Sequence, residues 1–230
     1  MSETKVFTRD SWEELHQQAR YLPRYPQDDV VRWALGGFTE QQRQDTTVLD
    51  LGCGGGRHAV FLAREGFKTK ATDRSPAGVA ETTRRAREEG LVIDGTTSEL
   101  VDLPYEDETF DAVLCYGVIC YLDRPELEKS ISEIHRILKP GGRTFVMTRS
   151  DQDFRIQYAI RIESTTYRIK GSTADNYPAK GENGMLHSFL SESDVRTLFS
   201  EFAELEIDRN TLSMSGGAYT NNDWLIYAVR

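Results

Sequence analysis

The sequence predicts an α/β fold built on a mostly parallel sheet of seven strands, and three observations lead there. From residue 47 onward, short apolar runs alternate with amphipathic helical stretches, the rhythm of repeated strand–helix units. The chain is 230 residues long, within the reach of one α/β core, and no Pro/Gly/Ser-rich stretch divides it. A single domain over residues 1–230 is therefore expected. Hydrophobic residues make up 38% and charged residues 28%, enough apolar material for a packed interior under a polar surface.

Each element follows from local signals. Ser11, with Glu14 three residues on, reads as a capping box opening a helix with an apolar stripe of Trp12, Leu15, Ala19 and Leu22, stopped by Pro23. A second helix is expected from Pro26, with Asp28 and Asp29 at its positive end and Val30, Trp33 and Ala34 facing inward. The first strand covers 47–51, and the turn 52–56 leads into a helix over about 57–65 that Gly66 closes in a left-handed conformation. A strand at 68–72 and a helix capped by Ser75 and Pro76, running to about Glu89, come next. The third strand falls within 91–98, where Asp94, Gly95 and polar neighbours dilute its pattern. Strands at 110–115 and 143–148 flank a helix over 126–138 that carries Leu127, Ile131, Ile134 and Leu138 on one face.

Residues 149–190 break the rhythm with many aromatics and charges, and read as a lid or substrate insertion up to the next helix. That helix starts at Ser191, where Asp194 completes an S-x-x-D box and Val195, Leu198, Phe199 and Phe202 mark the buried face. Strands near 205–210 and 224–229 complete the seven.

Composition excludes several functions. The first fifteen residues lack the apolar core of a signal peptide, and about 18 consecutive apolar residues occur nowhere, so a cytoplasmic protein away from membranes is expected. A net charge of −9, with no large Lys/Arg cluster, argues against nucleic acid as a partner. Cys53, Cys115 and Cys120 lack paired spacing and suit reduced thiols, and no histidine–carboxylate grouping has metal-ligand spacing.

The run VLDLGCGGG, residues 48–56, joins an apolar strand to a helix through glycines at 52, 54 and 56, where the backbone can turn sharply and a ligand can approach closely. A dinucleotide fingerprint requires a further glycine at position 57, and Arg57 stands there instead. Asp73, 21 residues beyond Gly52, closes the second strand, where a carboxylate can accept from both hydroxyls of a ribose.

Together with these residues, VLDLGCGGGRHA (48–59), TDRS (72–75), SELVDLPYEDETFDAVLCYGVICYL (98–122) and EIHRILKPGG (133–142) resemble the class I S-adenosylmethionine-dependent methyltransferases over about residues 46–148. The resemblance implies a Rossmann-like three-layer αβα sandwich with its last strand antiparallel, S-adenosylmethionine (SAM) as cofactor and S-adenosylhomocysteine as product. It also implies that Gly52, Cys53, Gly54 and Gly56 hold the methionine moiety with help from Asp50, and that Asp73 with Arg74 forms the ribose-binding strand end. Glu99 and Leu100 align with the adenine contacts, with Asp102 as the alternative acid. The N-terminal helices, residues 1–45, are expected to close over the cofactor through Tyr21, Arg24 and Tyr25.

Methyl transfer from a sulfonium is an in-line displacement that depends mainly on positioning and the exclusion of water. A hydroxyl or amine acceptor must still lose a proton, for which His187 is the first candidate and an ordinary loop histidine the alternative. Tyr116 and Tyr121 follow the fourth strand, where they either line the acceptor pocket or pack under the lid. His16, His58 and His135 read as helix-surface residues. The expected activity is methylation of an oxygen or nitrogen atom of a small molecule. A SAM-binding regulator without transfer and a nicotinamide-dependent oxidoreductase are the alternatives. The acceptor and the oligomeric state are not legible.

Overall fold

Thr47–Leu51 alternates its side chains across a pleated strand, β1, and every other strand of the main sheet is arranged around it. The computed structural model describes residues 10–18, 22–172 and 177–230. Seven strands form one sheet in the order β3-β2-β1-β4-β5-β10-β9, where β2 is Lys68–Asp73, β3 Asp94–Thr97, β4 Phe110–Tyr116, β5 Leu138–Arg149, β9 Glu204–Met214 and β10 Tyr219–Val229. β1 pairs in parallel with β2 and β4, and β4 does so with β5. β10 lies antiparallel between β5 and β9, so the antiparallel strand is last in the chain but internal in the sheet.

Alternation sends the strand side chains into two cores. Leu49, Leu51, Val113, Cys115, Val146 and Ile226 point to one face and bury against α6 (Arg124–Ile137) and α7 (Glu192–Leu198). Val48, Ala112, Leu114, Phe145 and Leu225 point to the other and meet Val30, Trp33 and Ala34 of α2 (Asp28–Gly37) and Phe61 and Leu62 of α4 (Arg57–Arg64). α5, Pro76–Glu88, packs beside α4 through Ala59, Ala71 and Val79. Helices thus cover both faces, the three-layer arrangement the sequence predicts.

Several helix ends form where the capping residues stand. Ser75 accepts from the Gly78 amide at the start of α5, Asp123 caps α6, and Ser191 with Asp194 makes a reciprocal box on α7. α6 begins at Arg124 rather than 126, because Asp123 supplies the cap and Pro125 is tolerated in the first turn.

The N-terminal helix α1 is Asp10–His16, so Ser11 lies inside the helix and is not its cap. Ala19 and Tyr21 lie outside the described residues. A helix not predicted, α3 (Glu40–Asp45), is opened by a capping box between Thr39 and Gln42, and its residues are too polar to show an apolar stripe. The insertion carries its own three-stranded antiparallel sheet, with β6 Ala159–Glu163, β7 Thr166–Ile169 and β8 Leu186–Ser188 in that order. No helix among the described residues is long and apolar enough to cross a membrane.

Candidate functional site

Strand order reverses between β1 and β4, and at such a switch point the loops at the carboxyl ends of the strands part to leave a crevice. The crevice here holds about 880 Å³ including its open mouth, the size of a small-molecule site. Its walls include the turn Gly52–Gly55, Asp73 and Arg74 after β2, Glu99 and Leu100, and Tyr116 to Val118 after β4.

The turn after β1 needs its glycines. Gly52 has φ +78°, and a Cβ there would lie 2.4 Å from a Val118 methyl carbon, so this backbone passes too close to the β4 loop for any side chain. The amides of Gly52 and Cys53 both donate to the Thr72 carbonyl, at 2.7 and 2.9 Å, tying the turn to β2. Gly54 donates to Asp73 Oδ2 at 2.8 Å and Gly56 to the Cys53 carbonyl at 2.9 Å. Asp73 Oδ1 accepts from the Ser75 amide at 2.9 Å. Two of that carboxylate's four lone-pair sites are thereby used, and two remain for a ligand.

Gly56 performs a different task from the one expected. A Cβ there would meet Thr82 Oγ1 at 2.7 Å, so the residue permits α4 to pack on α5 and does not line the crevice. Asp50 likewise stands below the turn, 1% exposed, where its carboxylate accepts the Ala59 amide in the first turn of α4. Its Oδ2 has no hydrogen-bond partner, and burial pushes its pKa up to about 7.

On the adenine side, Glu99 pairs with Arg74 at 2.9 Å, and both line the crevice beside Leu100. Asp102 does not line it; its amide closes a tight turn on the Glu99 carbonyl.

At the end of β4, the buried Tyr116 hydroxyl donates to Asp29 Oδ2 at 3.1 Å, and the same oxygen accepts from Asn210 at 3.2 Å. Burial and the Asp29 charge raise the Tyr116 pKa, which keeps the phenol protonated. Tyr121 also lines the crevice, and its ring is stacked edge-on against His187 at 4.8 Å.

His187 itself does not reach the crevice. It is fully buried behind Tyr121, lies parallel to Phe189, and stands 3.4 Å from Glu182. Burial, with Arg149 and Arg155 nearby, holds its pKa well below the usual imidazole value, so the ring is neutral. Tyr25 corrects another expectation, for it is 78% exposed and outside the crevice. Arg24 is outside it as well.

Two histidines read as surface residues are wall residues. His16 is buried on α1 next to Gly54 and Gly78, with Nδ1 unpartnered. His58 is buried on α4, packs edge-on against Tyr116, and accepts at Nε2 from the Gln27 amide at 3.4 Å. Only His135 fits its expectation in part, half-buried on α6 against Phe202. Trp12 and Pro23 complete the wall, and Trp12 reaches across to Tyr121 with ring centroids 4.7 Å apart. Spacing alone could not have shown these contacts, since α1 is placed by Glu13, whose carboxylate accepts from the Ser75 hydroxyl and the Ala77 amide at the start of α5. No His/Cys/Asp/Glu group among the described residues could hold a metal ion, and all three cysteines are free and buried.

A family model described as a methyltransferase domain matches residues 48–142. The chain is 36% identical over 191 residues to Methyltransferase GfsG of Streptomyces halstedii, with 76% of this chain and 66% of that protein covered. It is 34% identical over 102 residues to the Ubiquinone biosynthesis O-methyltransferase of Xylella fastidiosa (strain 9a5c), covering 44% of this chain and 41% of that one. The chain thus spans less than two thirds of the length of either curated relative. Among solved structures, it superposes with a TM-score of 0.64 on a Burkholderia thailandensis 1,6-didemethyltoxoflavin-N1-methyltransferase with bound 1,6-didemethyltoxoflavin and S-adenosylhomocysteine. That alignment covers 96% of this chain and 86% of the other at 17% identity, a likeness of fold.

Proposed function

Because the chain belongs to the class I SAM-dependent methyltransferase family, we propose that it transfers the methyl group of SAM to an oxygen or nitrogen atom of a small molecule. The observation that carries this reading is the pairing of the glycine turn with Asp73 on one crevice wall. The turn brings backbone close enough for an amino-acid tail, and Asp73 keeps two lone-pair sites for a ribose one strand away. Glu99 and Leu100 extend the wall toward the adenine. The donor nucleoside therefore fits the residues present.

The bound cofactor supplies an electrophilic methyl group on a sulfonium. The protein's task is to hold the acceptor in line with it and keep water out. Tyr116 and Tyr121 form the acceptor side, and the neutral His58 packs edge-on beside Tyr116 with Nε2 engaged by the Gln27 amide. His187 supports Tyr121 from behind. In this reading, one domain spans the chain, α1 closes over the cofactor, and the 149–190 insertion covers the acceptor. Both the O-methyltransferase and the N-methyltransferase among the similar proteins act on small molecules by name, which favours a small acceptor. A net charge of −9 works against nucleic acid as the target.

The test is incubation with isotope-labelled SAM and fractionated metabolites. A labelled small product found by mass is the expected result. Cofactor binding without any S-adenosylhomocysteine formed across all fractions would mean a regulator that does not transfer. Saturable binding of NADH would instead favour the oxidoreductase.

A further inference from the structure

A second polar site lies beside the crevice, under the insertion. β5 runs parallel to β4 with Met147 opposite Tyr116, so Arg149, the last residue of β5, stands at the same carboxyl edge one strand over. The short helical turn Ile119–Tyr121, which brings Tyr121 to the crevice, packs against both β5 and β8, the strand that holds His187. Arg149 donates through Nη1 to Asp223 Oδ1 at 2.6 Å, and its Nε is buried without a partner. Both ring nitrogens of His187 are likewise buried without a hydrogen bond. A buried donor left unmet costs about 1–3 kcal/mol, which a polar group bound beside it recovers.

In a guanidinium, Nε–H and Nη2–H point the same way and form an edge that grips an oxygen from two donors at once. Asp223 takes Nη1, so among the described residues this edge of Arg149 is open. The surrounding charge decides what can occupy it. Asp223 pairs with Arg149, while Asp153 and Glu182 pair with Arg155 at 3.0 and 2.6 Å. Three carboxylates thus face two guanidiniums, and His187, 3.4 Å from Glu182, is neutral. An anion entering this buried group would add to a negative excess, whereas a carbonyl oxygen offers lone pairs and no net charge. We propose that Arg149 recognises the methyl acceptor through a carbonyl oxygen held on its Nε–Nη2 edge, and that the acceptor is an uncharged carbonyl compound whose far end lies under the insertion. The proposal rests on the methyltransferase reading, in which the acceptor enters beside Tyr121.

The probe is the metabolite fraction that gains label from isotope-labelled SAM with the parent protein. Arg149→Lys keeps a cation for Asp223 but has no planar edge. In calorimetry it should bind S-adenosylhomocysteine as the parent does, which also reports an intact fold. The amount of the fraction that gives half-maximal labelling should rise about tenfold or more, the range for losing a charge-assisted hydrogen bond. Should the lysine variant lose S-adenosylhomocysteine as well, Arg149→Gln combined with Asp223→Asn removes both members of the ion pair and is measured in its place. Loss of that binding in both variants overturns the proposal, since Arg149 then serves the fold. Unchanged half-saturation at equal affinity for S-adenosylhomocysteine overturns it and leaves the open donors to ordered water. A labelled acceptor retained on an anion exchanger at neutral pH, or a product with no carbonyl carbon by NMR, overturns it too. No label in any fraction removes the transfer reading itself, and the proposal with it.

Discussion

At the level of single residues, the site is decided by which polar groups are already satisfied. Asp73 has two roles, since it holds the turn through Gly54 and α5 through Ser75 while keeping lone pairs for a ligand. Asp73→Ala should therefore raise the Kd for S-adenosylhomocysteine about tenfold to a hundredfold and cost about 1–3 kcal/mol of stability, through unpaired amides. Calorimetry and denaturant titration would measure the two, and an unchanged Kd would remove the ribose contact. His187 shows a polar group serving structure. Its folded pKa lies below the free imidazole value, so the folded state resists protonation, and stability present above about pH 6.5 is lost as pH falls below it. His187→Gln should lose less stability than the parent between about pH 6.5 and 5, in urea titrations at each pH. Equal losses in parent and variant over that range would show that His187 is not held neutral by burial.

At the level of elements, the sequence was most legible where a residue type has only one local use. The glycines of the β1 turn, the caps at Ser75 and Ser191, and the alternation of β1, β4 and β5 all lie where the pattern puts them. Contacts between distant elements were not legible. His16 and Trp12 enter the wall because Glu13 docks α1 on the first turn of α5, 62 residues away at Ser75, and no local period reveals that. Tyr25 has the right chemistry in the wrong place, since the chain before α2 turns it outward. The strands of the insertion were hidden because they are short, and in β6 even the alternating Ile160 and Ile162 are exposed, so no buried face marks the element. The Glu13 contact has a measurable consequence. Glu13→Ala should weaken S-adenosylhomocysteine binding about fivefold, the equivalent of about 1 kcal/mol for a helix-end contact. The melting temperature should change little, because α1 adds few residues to the main cores. An unaltered Kd would mean that α1 does not help to hold the cofactor.

Across the whole molecule, the crevice joins parts that are separate in sequence: α1, the ends of β1 and β2, the turn holding Glu99, and the end of β4. A ligand seated there touches both layers of helices through the strands between them, so its binding free energy acts on the global unfolding equilibrium and not on one loop. A ligand that binds only the folded state adds RT ln(1 + [L]/Kd), or about 2.7 kcal/mol at a hundredfold excess over Kd. For a chain of this length each kcal/mol moves the melting temperature by about 2–4 °C. S-adenosylhomocysteine at that excess should therefore raise the melting temperature by about 5–11 °C in a thermal-shift scan. The same concentration of NADH should leave it unchanged, because Arg57 occupies the position where a pyrophosphate turn needs glycine. A shift confined to a low-temperature shoulder, with the main transition fixed, would show that the crevice is not coupled to the sheet.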